Sequence, residues 1–217
     1  MVGEEGGDLK EQKNSIRMRL AGGVGAQVFS QAVSILIRLF EIPVFMLGWG
    51  KQLYGEWLII AAIPSYLSMS DVGFTSTSCR EITIKAGAED KEGAVKIYQS
   101  TWLLLAILTL IVIVVGGFVL QFIQLRNWMN FSVLKESEVK TIMMVLALQI
   151  LLGFQLGLMN AGFWATNNYP KSMTLSAACR LWEFGVLSGA ILLDATPVQV
   201  SFAYLLVIVA ASFLLSR

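Results

Sequence analysis

Long apolar runs alternate with short polar connections along almost the whole chain. A membrane-spanning helix needs about 20 mostly apolar residues at a rise of about 1.5 Å each. Six stretches meet that requirement, at about 20–47, 54–84, 101–123, 141–166, 172–193 and 198–215. None of the connections is long enough for a folded domain outside the membrane. The pattern predicts an all-α fold: a polytopic membrane bundle of about six transmembrane helices over residues 20–217. Residues 1–19 are polar and mixed in charge, and are expected to form a short, mobile cytoplasmic tail.

The first apolar stretch carries polar residues in register. Gln27, Gln31, Ser34, Arg38 and Glu41 are spaced by four, three, four and three residues. On a helix they form one stripe, with Val28, Ile35, Leu36, Leu39 and Ile42 on the other faces. A charge near the bilayer centre costs at least about 2.5–3.5 kcal/mol on insertion scales. A helix that keeps one turns it toward a bundle interior or a water-filled cavity. Arg38 and Glu41, three apart, could also simply neutralise each other as a structural pair.

The fifth stretch repeats this arrangement. Ser172, Ser176, Arg180 and Glu183 step by four, four and three, and Arg180-Leu181-Trp182-Glu183 echoes Arg38-Leu39-Phe40-Glu41. Two helices are therefore expected to present an Arg and a Glu on a polar face. Gln149, Gln155 and Asn160 give the fourth stretch polar character as well, and Asn160 is a candidate for the same cavity. Gly153 and Gly157 have the GxxxG spacing that permits close helix approach. The third stretch is almost wholly aliphatic from Leu103 to Val115 and is expected to face lipid.

The second stretch is irregular. Pro64 lies inside it, and Asp71 and Gly73 precede Thr75-Ser76-Thr77-Ser78. A bent or broken helix is expected there, with Asp71, Gly73 and Arg80 forming a cytoplasmic bend or gate, or else a plain helix end. Lys85–Lys96 looks like a short amphipathic surface segment leading into the third helix. Trp49, Tyr54, Trp57, Trp128 and Tyr169 lie near stretch ends, where interfacial aromatics collect.

Composition narrows the classes of function. Of 217 residues, 56% are hydrophobic and 14% charged, against roughly 25% charged in soluble domains. Mean hydropathy is +0.68. The net charge of +1 gives no field that would attract nucleic acid. There is no histidine, and Cys79 and Cys179 have no paired spacing. A metal site, a cofactor and enzymatic activity are not expected. Lys10, Lys13, Arg17, Arg19, Arg80, Lys85, Lys91, Lys96 and Lys171 would share one side of the membrane. Lys51, Arg126, Lys135 and Lys140 would share the other. The excess predicts that both termini are cytoplasmic.

The run Leu47-Gly48-Trp49-Gly50-Lys51-Gln52-Leu53-Tyr54-Gly55-Glu56-Trp57 resembles the first-loop pattern of polysaccharide flippases. So do Ser70-Asp71-Val72-Gly73-Phe74, Arg80-Glu81-Ile82 and Lys85-Ala86-Gly87. These O-antigen and teichoic-acid type flippases belong to the multidrug/oligosaccharidyl-lipid/polysaccharide exporter superfamily. The similarity is strongest over residues 24–96; beyond that it rests on helix order and on residues 167–180.

The resemblance implies one lobe of a two-lobed transporter, with a second lobe or a second copy as partner. It implies an undecaprenyl-diphosphate-linked oligosaccharide as substrate, moved across the cytoplasmic (inner) membrane by alternating access around a cationic cavity. Family members have about twelve to fourteen helices, so this chain corresponds to the first lobe, as a truncated or partial transporter. Arg38, Arg180, Gln31, Ser34, Glu41, Glu183 and Asn160 would then contact substrate or line the cavity. Alternatives are the lobe of a cation-coupled multidrug exporter and a membrane glycan polymerase or ligase.

Overall fold

The computed structural model describes the backbone of residues 4–69, 73–123, 125, 129, 131–165 and 169–215. Side chains are described for residues 22–69, 73–123, 125, 129, 131–159, 161–163 and 171–212. Every regular element among these residues is a helix: α1 Glu4–Met69, α2 Phe74–Gly87, α3 Lys91–Phe122, α4 Glu136–Ala165, α5 Tyr169–Leu192 and α6 Pro197–Leu215.

Four described stretches are long and apolar enough to cross a membrane: Gly22–Gly87, Lys91–Phe122, Glu136–Phe163 and Lys171–Leu192. Pro197–Ser212 is a shorter apolar helix. The chain is built as a membrane-associated, all-α protein.

α1 is not one rod. Gly50 has φ 74° and ψ 170°, outside the helical region, and separates two arms, 4–49 and 51–69. The rings of Phe45 and Trp57 lie 6.3 Å apart. Twelve residues of continuous helix would separate them by about 18 Å. The chain therefore turns back on itself at Gly50, a conformation that favours a residue without Cβ.

Around this turn the aromatics pack inward. Trp49 meets Trp57 and Phe45 at 5.3 and 5.1 Å, and Trp57 stacks on Tyr204 of α6. Tyr54 is 9% and Trp57 5% exposed. Both are packed into the bundle at the turn rather than presented on its surface. Their apolar area is taken up by Phe45, Leu187, Ile191 and Val200, in one buried cluster. Trp128 and Tyr169 lie outside the described side chains.

α4 is the central helix and touches all five others. Its two spaced glycines serve packing, as the spacing implied. A Cβ at Gly157 would sit 3.2 Å from Thr75 Cγ2 on α2, and one at Gly153 3.6 Å from Ile208 Cδ1 on α6. α5 runs along α1. At Gly48 a Cβ would collide with the Ile191 side chain and approach its carbonyl oxygen to 3.1 Å. α3 leaves Leu104, Ile107, Leu110, Ile111, Val114 and Phe118 exposed, the apolar surface expected of it.

Three boundaries differ from expectation. α1 begins at Glu4, so helix occupies most of the stretch expected to be a mobile tail; Glu, Lys, Gln, Met and Arg there are good helix formers. The expected surface segment before the third helix is divided. Asp90 accepts a hydrogen bond from Gly93 N at 2.9 Å and starts α3 at Lys91, so its second half belongs to the long helix. The stretch expected over 54–84 ends at Met69 and resumes at Phe74, where Gly73 has φ 83°. The break lies at the anticipated Gly73 rather than at Pro64, which the helix carries through.

Candidate functional site

α1 and α5 lie side by side, and part of the polar stripe of each borders a shared space, while Gln27, Ser172 and Ser176 do not line it. Between them is a cavity of about 540 Å³. Gln31, Ser34, Arg38 and Glu41 line it from α1, and Arg180 and Glu183 from α5. Six of the seven residues expected to contact substrate thus share one space. Asn160 is the seventh, and its side chain lies outside the described residues.

The charges in this cavity are arranged side by side but not closed into pairs. Among the described residues the ion pairs within 4.0 Å are Lys85–Asp90 and Lys140–Glu136, both remote from the cavity. Arg38 and Glu41 make no such contact with each other, nor do Arg180 and Glu183. The simple neutralised pair weighed from the spacing is therefore not formed.

What links the two helices instead is a short relay. Arg180 Nη1 donates to Ser34 Oγ at 2.6 Å, and Ser34 Oγ donates to the Ser30 carbonyl at 2.9 Å. A guanidinium has five N–H donors, so one bond to a hydroxyl leaves most of its fork available. Gln149 of α4 reaches Glu183 Oε1 at 3.4 Å, a long contact. Arg38 and Arg180 are both exposed, while Glu41 and Glu183 are half-buried. The arginines thus stand at the open side of the cavity and the carboxylates deeper.

The remaining wall is apolar. Phe45, Phe184 and Leu187 line it, joined by Tyr204 of α6. None of these stood out in the sequence, because aromatic and aliphatic residues are the default composition of such helices. Phe45, 1% exposed, also belongs to the aromatic cluster at the Gly50 turn. Phe45, Leu187 and Tyr204 thus belong both to the cavity wall and to that cluster, which gives the cavity an aromatic floor toward the Gly50 end.

Other expected residues lie apart. Arg80 is exposed on α2, which packs against α3 and α4 and not along the α1–α5 pair. Gly73 opens α2; its carbonyl accepts from Thr77 N at 2.7 Å and Ser76 Oγ at 3.1 Å. Asp71 lies outside the described residues. Gln155 lines a separate space of about 350 Å³ with Tyr98, Trp102 and Ser212, between α3, α4 and α6.

Sequence reasoning passed over Glu56. Its residue is 8% exposed, and its carboxylate is fully engaged. Oε1 accepts from Ser132 N at 2.7 Å, Ser132 Oγ at 2.9 Å and Val133 N at 2.9 Å, and Oε2 from Leu134 N at 3.0 Å. Glu56 stands between Tyr54 and Trp57, and an acid beside two aromatics at the end of an apolar run looks like an ordinary surface residue.

In chemical terms the cavity offers two planar cations, hydroxyl and amide groups, two carboxylates and an apolar floor. Guanidinium forks suit phosphate and carboxylate oxygens bidentately. Among the described residues no group of three or more His, Cys, Asp or Glu is placed to hold a metal ion. The chain matches no family model, no curated protein and no solved structure.

Proposed function

We propose that this chain forms a transporter bundle that binds a lipid-linked oligosaccharide through its diphosphate and moves it across the cytoplasmic membrane. The observation that carries this reading is the convergence of Arg38 and Arg180, from helices 142 positions apart in sequence, on one cavity inside an apolar bundle. Neither arginine is neutralised by a carboxylate within ion-pair distance among the described residues. Gln31 and Ser34 supply polar groups suited to sugar hydroxyls. The likeness of residues 47–57 and 70–87 to flippases supports the undecaprenyl carrier.

In this reading the chain crosses the membrane six times. The two arms of α1 would make two crossings, because the chain reverses at Gly50, and α6 would make the last. Both termini lie in the cytoplasm, from the Lys and Arg excess. Leu39, Phe40 and Trp182, next in sequence to Arg38, Glu41 and Glu183 respectively, are exposed apolar side chains. These apolar neighbours fit a second lobe or a second copy completing the site.

A second reading draws on Glu41 and Glu183 lining the same space. Two carboxylates there favour a cation-coupled exporter of cationic compounds. The test is translocation of a fluorescent polyprenyl diphosphate in proteoliposomes, measured with Arg38→Ala, Arg38→Lys and Glu41→Gln. The flippase reading expects Arg38→Ala to lose the most activity and Arg38→Lys to retain part, since charge survives while the fork is lost. Activity toward cationic compounds that depends on Glu41 and not on Arg38 would establish the second reading.

A further inference from the structure

The end of the bundle at Gly50 is tied shut through side chains of one short stretch. Trp49 Nε1 donates to the Ala195 carbonyl in the α5–α6 connection at 2.8 Å. Gln52 Nε2 donates to Ser132 Oγ at 2.7 Å. Glu56 gathers four donors from Ser132, Val133 and Leu134, just before α4. Three parts of the chain, around positions 50, 132 and 195, meet here. Directly beneath them lies the aromatic floor of the cavity.

These ties are not equivalent. Trp49 and Gln52 each donate one bond. The Glu56 carboxylate is the shared acceptor on which three consecutive residues converge, and charge-assisted bonds are roughly twice as strong as neutral ones. Removing the acceptor strands several donors at once. Gly50 provides a backbone position at φ 74° that can absorb rotation between the two arms.

We propose that Glu56 is the latch of a gate. Its carboxylate holds residues 131–134 against the 51–69 arm and keeps the cavity closed at the Gly50 end. Releasing those bonds lets the aromatic floor part and opens the cavity to that side. The inference rests on the cavity being a transport site, but its test reads access to the cavity and needs no substrate. Failure of the diphosphate reading therefore leaves the test of the latch intact.

The reporter is Leu187→Cys, 2% exposed and on the cavity wall, in a chain carrying Cys79→Ala and Cys179→Ala. An impermeant maleimide is applied to intact cells and to inside-out vesicles. Glu56→Gln keeps the shape but replaces one acceptor oxygen with a donor. The latch predicts labelling from the Gly50 side at least about tenfold faster in Glu56→Gln, the scale of one lost charge-assisted bond. Ser132→Ala removes the hydroxyl that donates to Glu56 and accepts from Gln52 but leaves the three backbone bonds to the carboxylate, and should give a smaller rise of the same kind. It decides the matter should Glu56→Gln not reach the membrane folded. Unchanged labelling in the folded variants overturns the proposal and leaves Glu56 a static anchor. Labelling of the parent from the Gly50 side as fast as that of Glu56→Gln likewise overturns it, because the parent is then not closed at that end.

Discussion

Two regions of this bundle handle carboxylates in opposite ways. At the Gly50 end, Glu56 is buried and accepts four hydrogen bonds, so its charge is fully compensated by fixed donors. In the cavity, Glu41 and Glu183 stand near arginines without closing on them, and the contact to Gln149 is long. A compensated buried charge holds structure together. Charges held close but left open are costly for the fold, and are what a binding site for a charged ligand would need. The difference separates charges satisfied by fixed donors at one end of the bundle from charges left open in its cavity.

The largest effect that could break this contrast is Glu56→Ala. It leaves three backbone N–H groups and a hydroxyl without their acceptor at a buried site. Unpaired buried donors cost about 1–3 kcal/mol each, partly recovered by water at the bundle end, so a net loss of about 3 kcal/mol is expected. A thermal unfolding midpoint in detergent should fall clearly. A midpoint no lower than that of Arg38→Ala would erase the distinction between the two regions.

Gly48→Ala comes next. Its Cβ would strike Ile191 on α5, forcing the helices apart or Ile191 out of its rotamer, and overpacking costs about 1–3 kcal/mol. The same substitution at Gly157 meets only Thr75 Cγ2 at 3.2 Å and should cost less. The ranking of the two midpoints checks which helix contact is tighter.

A smaller effect sits on the surface. The Asp90 carboxyl is held below the usual carboxylate range by the Lys85 ammonium and by Gly93 N–H. Its folded pKa is depressed, so its contribution is complete above the ordinary aspartate value of about 3.9. That contribution is lost as pH falls through the lower folded value. Asp90→Asn should therefore remove a weak dependence of the unfolding midpoint confined to strongly acidic pH. A variant whose midpoint follows the parent at every pH would show that the cap carries nothing.

The stripe on α1 and its echo on α5 were legible because polar residues at helical spacing are rare in apolar runs. The convergence of Arg38 and Arg180 follows from that spacing once the helices lie together. The break near Gly73 was legible as well, since turn residues interrupt an apolar run there. The reversal at Gly50 was legible too, since the apolar stretches were divided between 47 and 54; what the sequence did not show is that helix runs up to the turning residue on both sides. The inward packing of Tyr54 and Trp57 carried no signal, because interfacial and core aromatics share the same positions near helix ends. Glu56 was hidden for a related reason. Its partners are backbone N–H groups 76 to 78 residues away, and backbone donors leave no trace in a sequence.

Most directly, the central claim is tested by the affinity of the purified chain in nanodiscs for a polyprenyl diphosphate, with its unfolding midpoint followed in parallel. An Arg38→Ala/Arg180→Ala variant should bind at least about tenfold more weakly, as expected for lost charge-assisted bonds, with its midpoint near that of the parent. Unchanged affinity, or a midpoint that drops as far as that of Glu56→Ala, would contradict the assignment of the open charges to ligand binding.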